Sequence, residues 1–127
     1  MNEILVPMAA ADVIDRLAML GALAEGTNDR ASLQERDMLE RVIDRVLTPD
    51  TGLHPLRAAL RQTYGDLHAL EADLRGFESR ADFGPAFVGV ARSYLAILDQ
   101  RDRIRADIAA QLRQPSGAAD VAMSGET

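Results

Sequence analysis

Leu53, Leu56, Leu60, Thr63, Leu67, Leu70, Leu74 and Phe77 follow one another in alternating steps of three and four residues, and only Thr63 among them is polar. An α-helix returns to the same face every 3.6 residues, so this spacing puts the whole set on one face of one helix. The pattern predicts a rod of about 27 residues, near 40 Å long at about 1.5 Å per residue. Gly65 and Gly76 are its weak points, each worth about 1 kcal/mol against alanine.

The segment after this rod supplies its counterpart. Asp82 to Pro85 reads as a short connector with a cap and a proline in the first turn of a further helix, which runs from Pro85 to about Arg113. Two helices of matched length joined by a short connection imply an antiparallel hairpin. In the second of them Phe87, Val88, Val90, Ala91, Tyr94, Leu95, Ile97 and Leu98 are apolar nearly all round, whereas beyond Asp99 only Ile104, Ile108 and Leu112 continue the stripe. The first half of this fourth helix is therefore expected to be the more buried.

Two shorter helices precede the hairpin. The first carries Val13, Leu17, Leu20 and Ala24 and stops at Gly26. The second is capped by Asp29 or Ser32, with Ser32 and Glu35 at capping-box spacing. It carries Met38, Leu39, Val42, Ile43, Val46 and Leu47 before the Pro49–Gly52 turn. Together they nearly equal one long helix and are expected to pack as a broken antiparallel partner. Twenty-one alanines and sixteen leucines against three Phe, two Tyr and no Trp favour helix over strand throughout.

The expected fold is thus all-α: a four-helix antiparallel bundle with a long helix three/helix four hairpin and a short extended lead-in around Ile4, Leu5 and Val6. One domain spans residues 1–113. Residues 114–127, with Pro115, two glycines and two serines, lack apolar periodicity and are expected to form a disordered tail.

Charge and composition narrow the function. Fourteen basic against twenty acidic residues give −6, which disfavours a nucleic-acid partner. There is no cysteine, so disulfides, cysteine-bound zinc and thiol nucleophiles are excluded; every basic residue is arginine, so Schiff-base and P-loop lysines are excluded too. Met1 to Met8 has neither the basic start of a signal peptide nor a membrane-length apolar run, and a cytoplasmic protein without membrane attachment is expected.

The candidate functional residues are charges beside or inside the apolar stripes. Glu71, Arg75 and Glu78 share one face of helix three, Arg92 and Asp99 lie seven apart on helix four, and Arg101 follows where the stripe narrows. Asp12, Asp15 and Arg16 open helix one. They read either as one polar pocket for an anionic or sugar-like molecule or as solvated surface pairs and helix-terminal carboxylates.

Asp12 with Asp15, and Asp99 with Asp102, have carboxylate spacing for Mg²⁺, but such pairs are common on solvated helices. The order His68-Ala-Leu-Glu71 reverses the di-iron motif and occurs once, so no metal or other cofactor is expected. Nothing in the sequence activates a serine, and the run Arg101-Asp-Arg-Ile-Arg105 reads as a solvated face.

Three stretches carry a resemblance: Asp12-Val-Ile-Asp-Arg-Leu-Ala-Met-Leu20; Leu67-His-Ala-Leu-Glu-Ala-Asp-Leu-Arg75 through Glu78; and Phe87-Val-Gly-Val-Ala-Arg-Ser-Tyr94 through Asp99 and Arg101. Over residues 3 to 112 the chain resembles a small bacterial family catalogued as a domain of unknown function. That family's pattern reads Glu-Leu-Ile-Asp-Lys, Leu-Trp-x-Ile-Glu-x-x-Ile-Arg and Leu-Ala-Arg-Ser-Val-Tyr. Position by position, the resemblance singles out Asp12, Asp15, Arg16, Glu71, Arg75, Glu78, Arg92, Asp99 and Arg101. The family's tryptophan falls on His68 and its asparagine on Leu98, while its lysines fall on Arg16 and Arg105 or are missing. The resemblance also implies a link to surface-polysaccharide biosynthesis.

The leading expectation is a non-catalytic, self-associating helical module, a homodimer, whose interior charges fix packing register. The alternatives are a small-molecule site or enzyme that uses Arg75 and Arg92 to hold an anion and Glu71 or Glu78 as acid or base, and an accessory of a glycan-building enzyme.

Overall fold

The computed structural model describes residues 8–24, 29–47 and 52–113. Four helices account for almost all of them: α1 (Ala10–Ala24), α2 (Arg30–Val46), α3 (Leu53–Ser79) and α4 (Pro85–Arg113). The protein is an all-α four-helix bundle in which α3 and α4 share the largest interface, α1 packs mainly on α3 and α2, and α1 touches α4 more lightly. The expected lead-in, apart from Met8, and the expected tail lie outside the described residues.

Local chemistry explains the helix ends. Asp29 caps α2: its carboxylate accepts from the Ala31 backbone N–H at 3.2 Å and from the Ser32 hydroxyl at 2.7 Å. Ser32 is thus a donor to the cap, and no capping box forms because Glu35 turns toward α1. At the end of α3, the Ala81 N–H donates to the Glu78 carbonyl at 3.0 Å and the Asp82 N–H to that of Phe77 at 2.9 Å. This is a Schellman closure with alanine, φ 51°, where glycine is the usual occupant. Pro85 then opens α4, where a missing N–H costs nothing.

The core gathers Val13, Ile14, Leu17 and Ala18 from α1, Ile43 from α2, Leu53 and Leu60 from α3, and Ile104 and Ile108 from α4. Thr63, the polar break in the long stripe, is buried with them, and its hydroxyl donates to the Ala59 carbonyl at 2.8 Å. The buried hydroxyl is therefore satisfied inside its own helix.

Burial along α4 is the reverse of the expectation from its apolar content. Its buried residues are Ile104 and Ile108, in the second half, and no residue between 68 and 103 is buried. The cause is length. With 15 residues, α1 spans about 22 Å against about 40 Å for α3. Nor do α1 and α2 lie end to end as one broken partner; α2 doubles back beside α1, joined to it by Arg16 and Glu35. The distal half of the α3/α4 hairpin consequently has no third helix, and a two-helix seam can only half-bury its residues. At its tip all three phenylalanines meet: Phe77 and Phe87 edge to face at 6.0 Å, Phe83 and Phe87 at 5.3 Å, with the Arg80 guanidinium 5.0 Å above Phe77.

Candidate functional site

The structure divides the nine candidate charges among several places. Asp15 and Arg101 come together where α1, α3 and α4 meet, around a residue the sequence reading had not singled out, Tyr64. The Tyr64 hydroxyl donates to Asp15 Oδ1 at 2.6 Å, and Arg105 Nε lies 3.5 Å from the same oxygen. Burial, first, and the hydrogen bond to Asp15, second, push the Tyr64 phenol up to about 12; Arg101 and Arg105 pull weakly the other way. Arg101 itself pairs with Asp102 at 3.1 Å. Asp12 is close by, lining with Asp102 and Arg105 a hollow of about 280 Å³ floored by Leu60 and Ile108.

Arg16 points elsewhere. Its guanidinium grips Glu35 of α2 in a two-pronged fork, both contacts 2.9 Å. That hydrogen-bonded fork raises the Arg16 pKa and holds the Glu35 carboxyl below its ordinary range. The remaining candidates sit on the distal hairpin. Glu71 and Arg75 form a solvated pair one turn apart at 2.8 Å. Glu78, Arg92 and Asp99 are exposed, and among the described residues none of their three side chains makes a hydrogen bond or ion pair. Glu71, Arg75 and Arg92 therefore do not converge on a shared pocket.

No protein-family model, no curated protein and no solved structure matches this chain. Its own side chains carry the functional argument. Among the described residues no helix is long and apolar enough to cross a membrane, and no three His, Asp or Glu side chains are grouped to hold a metal ion.

A second concavity, larger than the hollow beside Asp12, is one that the nine charges do not line. A cleft of about 600 Å³ opens between α1, α2 and α3, floored by Ile14, Leu17, Ala18 and Gly21 and edged by Arg36, Glu40, His54, Arg57 and Arg61. Three arginines against one glutamate make its rim positive in a chain of net charge −6. Two glycines shape it: a Cβ on Gly21 would come within 3.2 Å of Arg61 Nε, and Gly65 faces open space. Arg57 is paired with Glu40 at 3.2 Å and Arg36 with its neighbour Asp37 at 3.3 Å, both partly solvated. Surface pairs of this kind are worth under about 1 kcal/mol, so an incoming anion can exchange for the carboxylates at small cost. His54, Arg57, Arg61 and Gly65 recur at helical spacing on α3, and that polar stripe beside the apolar one was the pattern that marks this wall.

Proposed function

We propose that this chain is a non-catalytic helical interaction module of the cytoplasm that self-associates through the distal half of the α3/α4 hairpin. One observation carries the reading: between residues 68 and 103 nothing is buried, although this stretch includes Phe87, Val88, Val90, Tyr94, Leu95, Ile97 and Leu98. Phe83, Val88 and Leu95 stand 53%, 47% and 61% exposed, and the seam residues Leu70, Leu74, Phe77, Phe87, Val90 and Tyr94 are only half covered. Several large apolar side chains left exposed on one end of a hairpin mark a candidate interaction surface. The charges beside it support a binding rather than a catalytic role, since Glu71 and Arg75 neutralise each other in solvent. Sedimentation equilibrium from about 1 µM to 1 mM is expected to give a mass that rises from monomer toward dimer, following mass action over those concentrations. A strict monomer across the range overturns the reading.

The cleft between α1, α2 and α3 favours a second reading, in which the module also holds a small molecule with an anionic group, such as a phosphate or carboxylate, against the guanidinium groups of Arg57 and Arg61. Titration with inorganic pyrophosphate, followed by NMR, is expected to shift the Arg57 and Arg61 side-chain resonances. Arg61→Ala is expected to weaken binding about tenfold, equivalent to about 1.4 kcal/mol. Gly65→Leu, which fills the cleft without changing its charge, should do the same. Resonances that stay in place at millimolar pyrophosphate remove this reading.

A further inference from the structure

The outward face of α4 has an order of its own. Val90, Ile97, Ile104 and Ile108 run along the seam toward α3, and on the opposite side of the helix Val88, Arg92, Leu95 and Asp99 recur at i, i+4, i+7 and i+11, all exposed. At about 100° per residue all four fall within about 60° of Leu95. The stripe is therefore an apolar centre, Leu95, with a cation one turn before it and an anion one turn after it. Neither Arg92 nor Asp99 has a partner among the described residues. By contrast the comparable pair on α3, Glu71 and Arg75, is closed within one helix.

We propose that the self-association argued above, on which this inference rests, is an antiparallel two-fold pairing of α4 with α4 of a second copy, crossing at Leu95. A two-fold axis midway between positions 92 and 99 brings each Arg92 to the second copy's Asp99, so one stripe satisfies itself twice. That isologous self-complementarity is what a two-fold interface requires. A parallel pairing is rejected by the same residues, because it sets Arg92 on Arg92 and Asp99 on Asp99. Leu95 meets its own copy at the axis, and the small side chains of Ala91 and Ala96 on either flank permit the interaxial distance of about 8–10 Å at which helices pack. The register also brings Val88 level with the second copy's Arg103, whose aliphatic stem can cover it. An interface built on one helical stripe falls in the class below about 1,200 Å², so the dimer is a reversible one.

The test is a charge exchange read by sedimentation, with circular dichroism as the folding control, since both positions are exposed in the monomer. Arg92→Asp alone and Asp99→Arg alone each set like charges against one another twice, and each is expected to weaken dimerisation at least about tenfold. The first variant then presents two acids and the second two bases. An equimolar mixture is expected to recover wild-type affinity as a heterodimer, and the double variant R92D/D99R to recover it as a homodimer. If the unmodified chain is monomeric throughout, self-association itself falls and this pairing with it. If the unmodified chain dimerises but the single variants dimerise equally well, or the mixture fails to recover, the pairing is overturned while self-association stands.

Discussion

Replacing Leu60 by alanine is expected to cost about 3 to 4 kcal/mol, among the largest losses of any single apolar truncation in the described residues. Leu60 is fully buried, in the cluster where Ile14 and Leu17 of α1 meet Ile104 and Ile108 of α4. Its deletion from α3 loosens the packing against both α1 and α4. The neighbouring hollow floored by Leu60 and Ile108 shows that packing on that side is not tight, so the cavity can relax in part, which keeps the figure below the top of the known range. A domain of this size holds about 5 to 15 kcal/mol in total, so one methyl-branched side chain carries a large share of it. Leu95→Ala, on a residue 61% exposed, should change monomer stability by under about 0.5 kcal/mol. Urea unfolding at micromolar chain concentration, where dimerisation adds little, separates the two. The midpoint should fall sharply for Leu60→Ala with an unchanged slope. A loss below about 1 kcal/mol would mean that Leu60 is not where the three helices meet.

The contrast between those two leucines also locates what the sequence could and could not convey. Both lie among apolar residues of long helices, and both helices begin where the turn residues of the sequence say they should: α3 at Leu53, just after the Pro49–Gly52 segment, and α4 at Pro85. Helix ends and the hairpin are local matters of caps, prolines and matched length, so they were legible. Burial is not local. Whether the apolar surface of α4 is covered depends on where α1 and α2 lie, and their own stripes did not say whether they would follow each other along the hairpin or stack at its base. The fork between Arg16 and Glu35 belongs to the stacked arrangement, which draws α2 to the flank of α1 and leaves Val88 and Leu95 outside.

The candidate charges show the same division. Asp15, Arg16, Arg92, Asp99 and Arg101 were visible because each stands next to an apolar stripe, and each of them has a structural consequence or an unmet partner. Glu71 and Arg75 were equally visible and are an ordinary surface pair. Tyr64 was passed over because it is one residue beside the stripe position Thr63, and only the approach of α1 gives its hydroxyl a carboxylate. The cleft arginines were passed over for a related reason: on α3 alone they form a solvated face, and only the apolar floor supplied by α1 makes that face the wall of a concavity.

Tyr64 is also the residue from which a pH dependence follows. In the folded chain its phenol is held at about 12, against about 10 for an ordinary tyrosine, because burial and the short hydrogen bond to Asp15 both favour the protonated form. A group whose pKa is raised by folding contributes stability that is fully present below the unfolded value and is lost as pH rises through the folded one. The window here is pH 10 to 12, and the protein should weaken across it as the unfolded state releases a proton that the folded state retains. Two pH units correspond to at most about 2 to 3 kcal/mol, and the partial solvent contact of the ring brings the expected figure nearer 2. Tyr64→Phe should abolish this portion of the alkaline loss. At pH 7 the same variant should cost about 1 to 2 kcal/mol, since Asp15 keeps only the longer contact to Arg105 once its hydroxyl donor is gone. Urea midpoints at neutral pH, pH 10 and pH 11.5 in both chains, together with the phenolate absorbance that Tyr64→Phe removes, provide the measurement. Should that absorbance titrate near 10 in the folded chain, or should both chains weaken equally above pH 10, the bond between α3 and α1 at Asp15 does not exist in solution.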